Sequence, residues 1–132
     1  MQLNSKYWRR LILSVVSVCS FSLAFAQTAQ AQELRSLCGE YDGTYVAAET
    51  EHFLVSICGG DIANSYIGLD KRTGKSIWLP LTENGSSTRG YYYEAVNDEY
   101  TYAVNLSPKY RSLSVIKNGR VILREPIVRE LN

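Results

Sequence analysis

Turn-forming residues interrupt this chain before any long helical period can develop. Beyond residue 43, stretches rich in β-branched, aromatic and aliphatic side chains alternate with "ETE", "GGDIAN", "KRTGK", "TENGSSTRG", "ND", "SPKYR" and "NG". Glycine, asparagine, aspartate, serine and proline recur in these breaks, and they favour tight turns over continued helix. The stretches between them, 44–48, 53–58, 65–70, 76–81, 91–96, 100–105, 112–117 and 120–124, have the length and composition of strands. At most a short turn is expected around residues 32–37. The pattern predicts an all-β fold, a small eight-stranded antiparallel meander. An open meander leaves its outer strands unpaired, whereas a barrel removes those edges, and eight strands enclose an interior that side chains fill. We expect the barrel, with a two-sheet β-sandwich as the alternative. Pro126 and the "IVRELN" after it predict a last strand that ends on an edge or as an appended tail.

Two hairpins can be worked out residue by residue. "RGYYYEAVNDEYTYAVN" holds five tyrosines between Tyr91 and Tyr102. A two-residue Asn97-Asp98 turn pairs Val96 with Glu99, Ala95 with Tyr100, Tyr93 with Tyr102 and Tyr91 with Val104. Tyr91, Tyr93, Ala95, Tyr100, Tyr102 and Val104 then share one face, while the face with Tyr92 carries Glu94 and Glu99. That is a hairpin with one side buried, so four of the five tyrosines read as core and Tyr92 stays outside. In the final hairpin Leu113, Val115, Val121 and Leu123 share a face only if the loop has an odd residue count. We expect a three-residue loop, Lys117-Asn118-Gly119, with Gly119 in the left-handed conformation.

Residues 1–31 read as an export signal and 32–132 as a single β domain. Lys6, Arg9 and Arg10 precede the uncharged run "LILSVVSVCSFSLAFA", and two small-x-small sites follow, ending at Ala26 and Ala31. Cleavage after Ala31 is the expectation. The run has sixteen residues with four serines, short of the ~20 apolar residues a spanning helix needs, so no membrane span is expected after cleavage. A lipid-modified Cys19 is the competing reading, but Val18 precedes it where a small residue belongs. Removing the signal takes three of the 14 basic residues and none of the 13 acidic ones, leaving a net charge near −2. Such a balance lacks the basic footprint of a nucleic-acid binder. Cys38 and Cys58 remain, and an even pair outside the cytosol predicts a disulfide. The expected location is the periplasm or the exterior.

The mature segment offers little catalytic material. His52 is its single imidazole, next to Glu51 at the start of a strand, where a solvated or capping role is expected. No Gly-x-Ser-x-Gly is present, and neither "ENGSS" nor "SSTRG" has a phosphate-cradle spacing. The acidic neighbours Glu49/Glu51 and Asp98/Glu99 fall in predicted turns and read as solvated charges. Asp61 and Asn64 lack the repeated acidic spacing of a calcium loop. Two sequons start at Asn84 and Asn105 and are read as unmodified behind a bacterial-type signal. "DKRTGK" places Lys71, Arg72 and Lys75 in one turn, either a solvated tip or the basic rim of a binding face. No catalytic residue, cofactor or metal is assigned.

An exported chain with an early cysteine, a second cysteine at a strand end and a meander resembles small exported bacterial β-barrels of the periplasmic, membrane-bound C-type lysozyme inhibitor family. The family's inhibitory loop is a Ser-Gly segment leading to a tyrosine after a Leu-Pro. Here Leu79-Pro80 is followed by Gly85, Ser86, Ser87 and Tyr91, in altered order and spacing, and the family's second segment, ending in Lys-Gly, has no counterpart. The resemblance implies a barrel loop that enters an enzyme's cleft. The first functional expectation is therefore a non-catalytic binding module acting through the polar loop 83–90. Ser86, Ser87, Arg89 and Tyr92 are its candidate contacts, and a protein or another cell-envelope component is its partner. The second is a lipocalin-like carrier of a small ligand, against which bulky tyrosines, Trp78 and Phe53 argue for a filled interior. A hydrolase is the least expected.

Overall fold

The computed structural model describes residues 33–131, so the expected signal peptide, its cleavage sites and Cys19 lie outside the described residues. Nine strands follow one another: β1 Gly43–Glu49, β2 Phe53–Gly59, β3 Ala63–Asp70, β4 Ser76–Ser87, β5 Gly90–Asn97, β6 Tyr100–Ser107, β7 Tyr110–Lys117, β8 Arg120–Pro126 and β9 Arg129–Glu130. No helix occurs among the described residues. Every neighbouring pair is antiparallel, in the order β8-β7-β6-β5-β4-β3-β2-β1-β9. The all-β meander is thus as expected, with one more strand than the sequence shows. The extra strand is the tail itself. Ile127 N donates to Arg111 O of β7 (3.0 Å), and Val128 N donates to Glu49 O of β1 (2.8 Å). Between two adjacent residues the chain changes partner, so β8 and β9 join the two ends of a strongly curled, barrel-like sheet. β4 belongs to both halves: Ser76 to Pro80 pair with β3, and Leu81 to Ser87 pair with β5. The sheet is therefore continuous, not two separate layers.

Inside lie Val46, Val55, Ile57, Tyr66, Leu79 and Leu113, with Tyr93, Ala95 and Val104 from the tyrosine hairpin. These positions alternate along each strand, as a one-sided sheet requires. Trp78 departs from expectation. It points outward and is 61% exposed, so it does not fill the interior. The outer face of β2 is also covered: Leu54, Ser56 and Cys58 are fully buried. The segment before β1 lies across it, with Leu37 N donating to Ser56 Oγ at 2.9 Å and the expected Cys38–Cys58 disulfide formed.

Four tight turns, Thr88-Arg89, Asp98-Glu99, Pro108-Lys109 and Asn118-Gly119, recur at ten-residue intervals, because Ser87 pairs with Gly90, Asn97 with Tyr100, Ser107 with Tyr110 and Lys117 with Arg120. The tyrosine hairpin turns at Asp98-Glu99, one residue later than expected. Its register slips by two, so Tyr93 faces Val104 and Ala95 faces Tyr102. A two-residue slip preserves parity, and the predicted face survives: Tyr93 is 5% exposed and Tyr102 packs against the core. The two tyrosines at the strand ends do not join the core: Tyr91 is 57% exposed, and Tyr100 is half-buried with Lys117 Nζ 5.3 Å from its ring centroid. The last hairpin has the two-residue Asn118-Gly119 turn, not a three-residue loop. Both residues have positive φ (51° and 76°), the signature of a type I′ turn. The odd residue that parity demands sits elsewhere: Val115 pairs with Leu123 and Ile116 with Val121, leaving Ile122 as a bulge.

Candidate functional site

Opposite ends of the barrel carry different features. At one end the β3–β4 turn is tied by Asp70 N to Lys75 O (2.9 Å) and Gly74 N to Asp70 O (2.8 Å). Beside this turn a recess of about 170 Å³ opens into the interior, lined by Phe53, Ile77, Leu113 and Val115, with Tyr66 and Tyr102 also in its wall. The two tyrosine rings lie 5.5 Å apart and are tilted by 32°. Tyr66 shares its face of β3 with Gly68, and that glycine makes room for the ring: a Cβ at 68 would lie 2.8 Å from the Tyr66 hydroxyl oxygen.

Tyr66 is 2% exposed, and no hydrogen bond joins its hydroxyl to another described residue. Nor is that hydroxyl sealed in, because every fully enclosed side-chain polar atom among the described residues has a partner. The recess is the space left for it to face. Burial, reinforced by Tyr102, pushes its ionisation well above the usual tyrosine range, so it stays a neutral O–H donor. At the rim, Asp70 accepts from Arg72 N at 2.8 Å and from the Arg72 guanidinium at 3.4 Å. Lys75, also lining the recess, has no ion-pair partner among the described residues.

The same end of the barrel holds the polar seam where β9 meets β1. Glu49 is 7% exposed, not a solvated turn charge as expected; it ends β1 beneath two cations. Lys71 Nζ lies 2.9 Å from one of its oxygens and Arg129 Nε 2.5 Å from the other. The Arg129 hydrogen bond holds Glu49 below the usual carboxylate range against the opposing effect of burial, and Lys71 adds to the lowering. Glu125 accepts from Thr50 Oγ1 (2.8 Å) and His52 N (3.0 Å), and its second oxygen lies 2.8 Å from His52 Nδ1. Burial pushes Glu125 upward, but these bonds outweigh it and leave the group lowered. His52 is thus a latch between the β1–β2 turn and β8. Its Nε2 lies 3.8 Å from Glu51, so both imidazole nitrogens face carboxylates. Among the described residues neither nitrogen is bonded to a hydroxyl or thiol that a base would activate.

The candidate contacts read from the sequence lie toward the other end. Residues 83–87 are not loop; they extend β4, and only Thr88-Arg89 turns. Ser86 faces Tyr91 across the ladder, and Ser87 pairs with Gly90. Arg89 lies in the turn beside the Pro108-Lys109 turn, where Thr88, Ser107 and both tips enclose an open depression of about 490 Å³. Tyr92 lies further along β5, half-buried opposite Gly85 and Asn105, and its hydroxyl donates to Glu94. Burial and then this bond raise its ionisation. The four residues therefore do not converge: two end β4, one is at the tip and one is tied to a neighbouring carboxylate.

The chain matches no family model, no curated protein and no solved structure. The recess residues were missed in the sequence for a definite reason. Tyr66 and Gly68 carry a weak signal, an aromatic two positions before a strand glycine, but their meeting with Tyr102 depends on closure. Lys75 was visible only as one of three cations in "DKRTGK", two of which the fold neutralises.

Proposed function

We propose that this chain is an exported, non-catalytic binding module that admits a small molecule into the mouth of its barrel. The single observation that carries this reading is the Tyr66 hydroxyl, on a side chain that is 2% exposed, without a hydrogen-bond partner among the described residues, and bordering a largely apolar recess. Leaving a polar group unpaired in an apolar setting costs about 1–3 kcal/mol, which a ligand or water oxygen would recover. Two findings favour this over the loop-borne inhibitor reading: the expected loop 83–90 is mostly strand, and outward-facing Trp78 leaves interior space. The Cys38–Cys58 disulfide is compatible with an oxidising compartment, and no helix among the described residues is long and apolar enough to cross a membrane. The acidic and histidine groups that would interest an enzymologist are engaged in holding the seam.

Native mass spectrometry of the purified, disulfide-intact chain tests this directly. A stoichiometric small-molecule adduct, lost in Val115→Phe, is the expected result; a chain without adduct that also takes up no small apolar compound would end the reading. A protein partner at the hairpin tips is the second reading, motivated by the depression between Arg89 and Lys109 and by exposed Tyr91 and Tyr110. It predicts that Lys109→Glu abolishes partner capture while adducts persist.

A further inference from the structure

We infer that the recess selects a single-ring aromatic acid, with its ring against Phe53, Ile77 and Val115, its buried end hydrogen-bonded by Tyr66 and its carboxylate held at the rim by Lys75. This deepens the small-ligand reading above and rests on it.

Size sets the first limit. An apolar cavity of about 150 Å³ accepts one benzene ring, while drug-sized ligands occupy roughly 300–1,000 Å³. At about 170 Å³ the recess fits one ring, and its mouth is open to a protruding head group. Polarity sets the second. Two phenol hydroxyls belong to the wall, and that of Tyr66, on the more deeply buried side chain, is a neutral O–H that suits an acceptor such as a ring hydroxyl or carbonyl oxygen. Charge sets the third. Three cations and one carboxylate belong to the β3–β4 turn and its ends; Asp70 is held by Arg72 and Lys71 by Glu49. Lys75 is the cation left over, so the rim presents net positive charge to a ligand leaving its head in the mouth. A long-chain fatty acid satisfies the charge but not the volume, and a neutral ring satisfies the volume but not the charge.

Calorimetric titration of the disulfide-intact chain with 4-hydroxybenzoate, benzoate, benzyl alcohol and decanoate separates these cases. The expected order places 4-hydroxybenzoate first and benzoate ahead of benzyl alcohol. Tyr66→Phe should weaken 4-hydroxybenzoate about tenfold and leave benzoate unchanged, since one net hydrogen bond is lost. Lys75→Gln, on an exposed side chain, should weaken both acids about fivefold and leave benzyl alcohol unchanged. If benzyl alcohol equals benzoate and Lys75→Gln changes neither, or if decanoate binds best, the ligand class is wrong while the small-ligand reading stands. If none of the four binds, the ligand class is wrong; if, in addition, native mass spectrometry shows no adduct, or what binding there is proves indifferent to Val115→Phe, the recess is not a site and both fall.

Discussion

On β3, Tyr66 and Gly68 face the same way, and the glycine lacks the side chain that would stop the tyrosine from lying along the strand. Gly68→Ala places a methyl group 2.8 Å from the phenol oxygen and 3.1 Å from Cε1, so the ring must tip towards the recess. Overpacking of this kind costs about 1–3 kcal/mol, measurable as a lower urea midpoint, and the recess should shrink with it. Tyr66→Phe has the opposite character. Its hydroxyl has no protein partner to orphan, so stability should stay within about 1 kcal/mol of the parent in urea unfolding. A loss of more than about 2 kcal/mol would mean that the hydroxyl holds the fold together, and the space it faces would no longer need a ligand.

The ten-residue beat of β5 to β8 shows why some elements could be read before folding and others could not. Parity was legible: the apolar alternation in 91–104 allows one face only, and a slip of two residues leaves that face intact. Exact register was not, because Asn97-Asp98 and Asp98-Glu99 offer equivalent turns, and cross-strand packing decides between them. In the last hairpin the demand for an odd residue was legible, but whether loop or strand absorbs it depends on sheet curvature. Residues 83–87 read as loop because they are polar, yet they lie in β4, where the ladder to β5 supplies backbone partners. Asn118-Gly119 should be sensitive, since an alanine at the φ of 76° occupied by Gly119 is strained; Gly119→Ala should cost about 1 kcal/mol. Deleting Ile122, by contrast, should leave Val115 paired with Leu123, because it removes only the bulge. Cross-strand nuclear Overhauser effects in the deletion variant check this; a flipped face beyond Arg120 would contradict it.

At the scale of the whole molecule, one chain end does the closing. Arg111–Glu130, Arg129–Glu49 and the Glu125–His52 latch all tie β7, β8 and β9 to β1 and its turn. The lowered ionisation of Glu49 and Glu125 has a consequence with a definite sign. Each carboxylate binds a proton less readily folded than unfolded, so its stabilisation is present above the unfolded value of 4.5 and is lost as pH falls through the folded value. The urea midpoint should therefore drop steeply in acid. Glu49→Gln should cost about 3 kcal/mol at neutral pH by leaving Lys71 without its acid, and should flatten that acid limb. An unchanged acid limb would mean that the seam does not hold the barrel.

The central claim is that the barrel mouth, not the hairpin tips, is the binding surface. Amide NMR during a titration with benzoate tests it most directly: the account predicts saturable shifts centred on Gly68, Ile77 and Val115. Shifts centred instead on Thr88, Arg89 and Lys109, or no saturable shift at all, would contradict it.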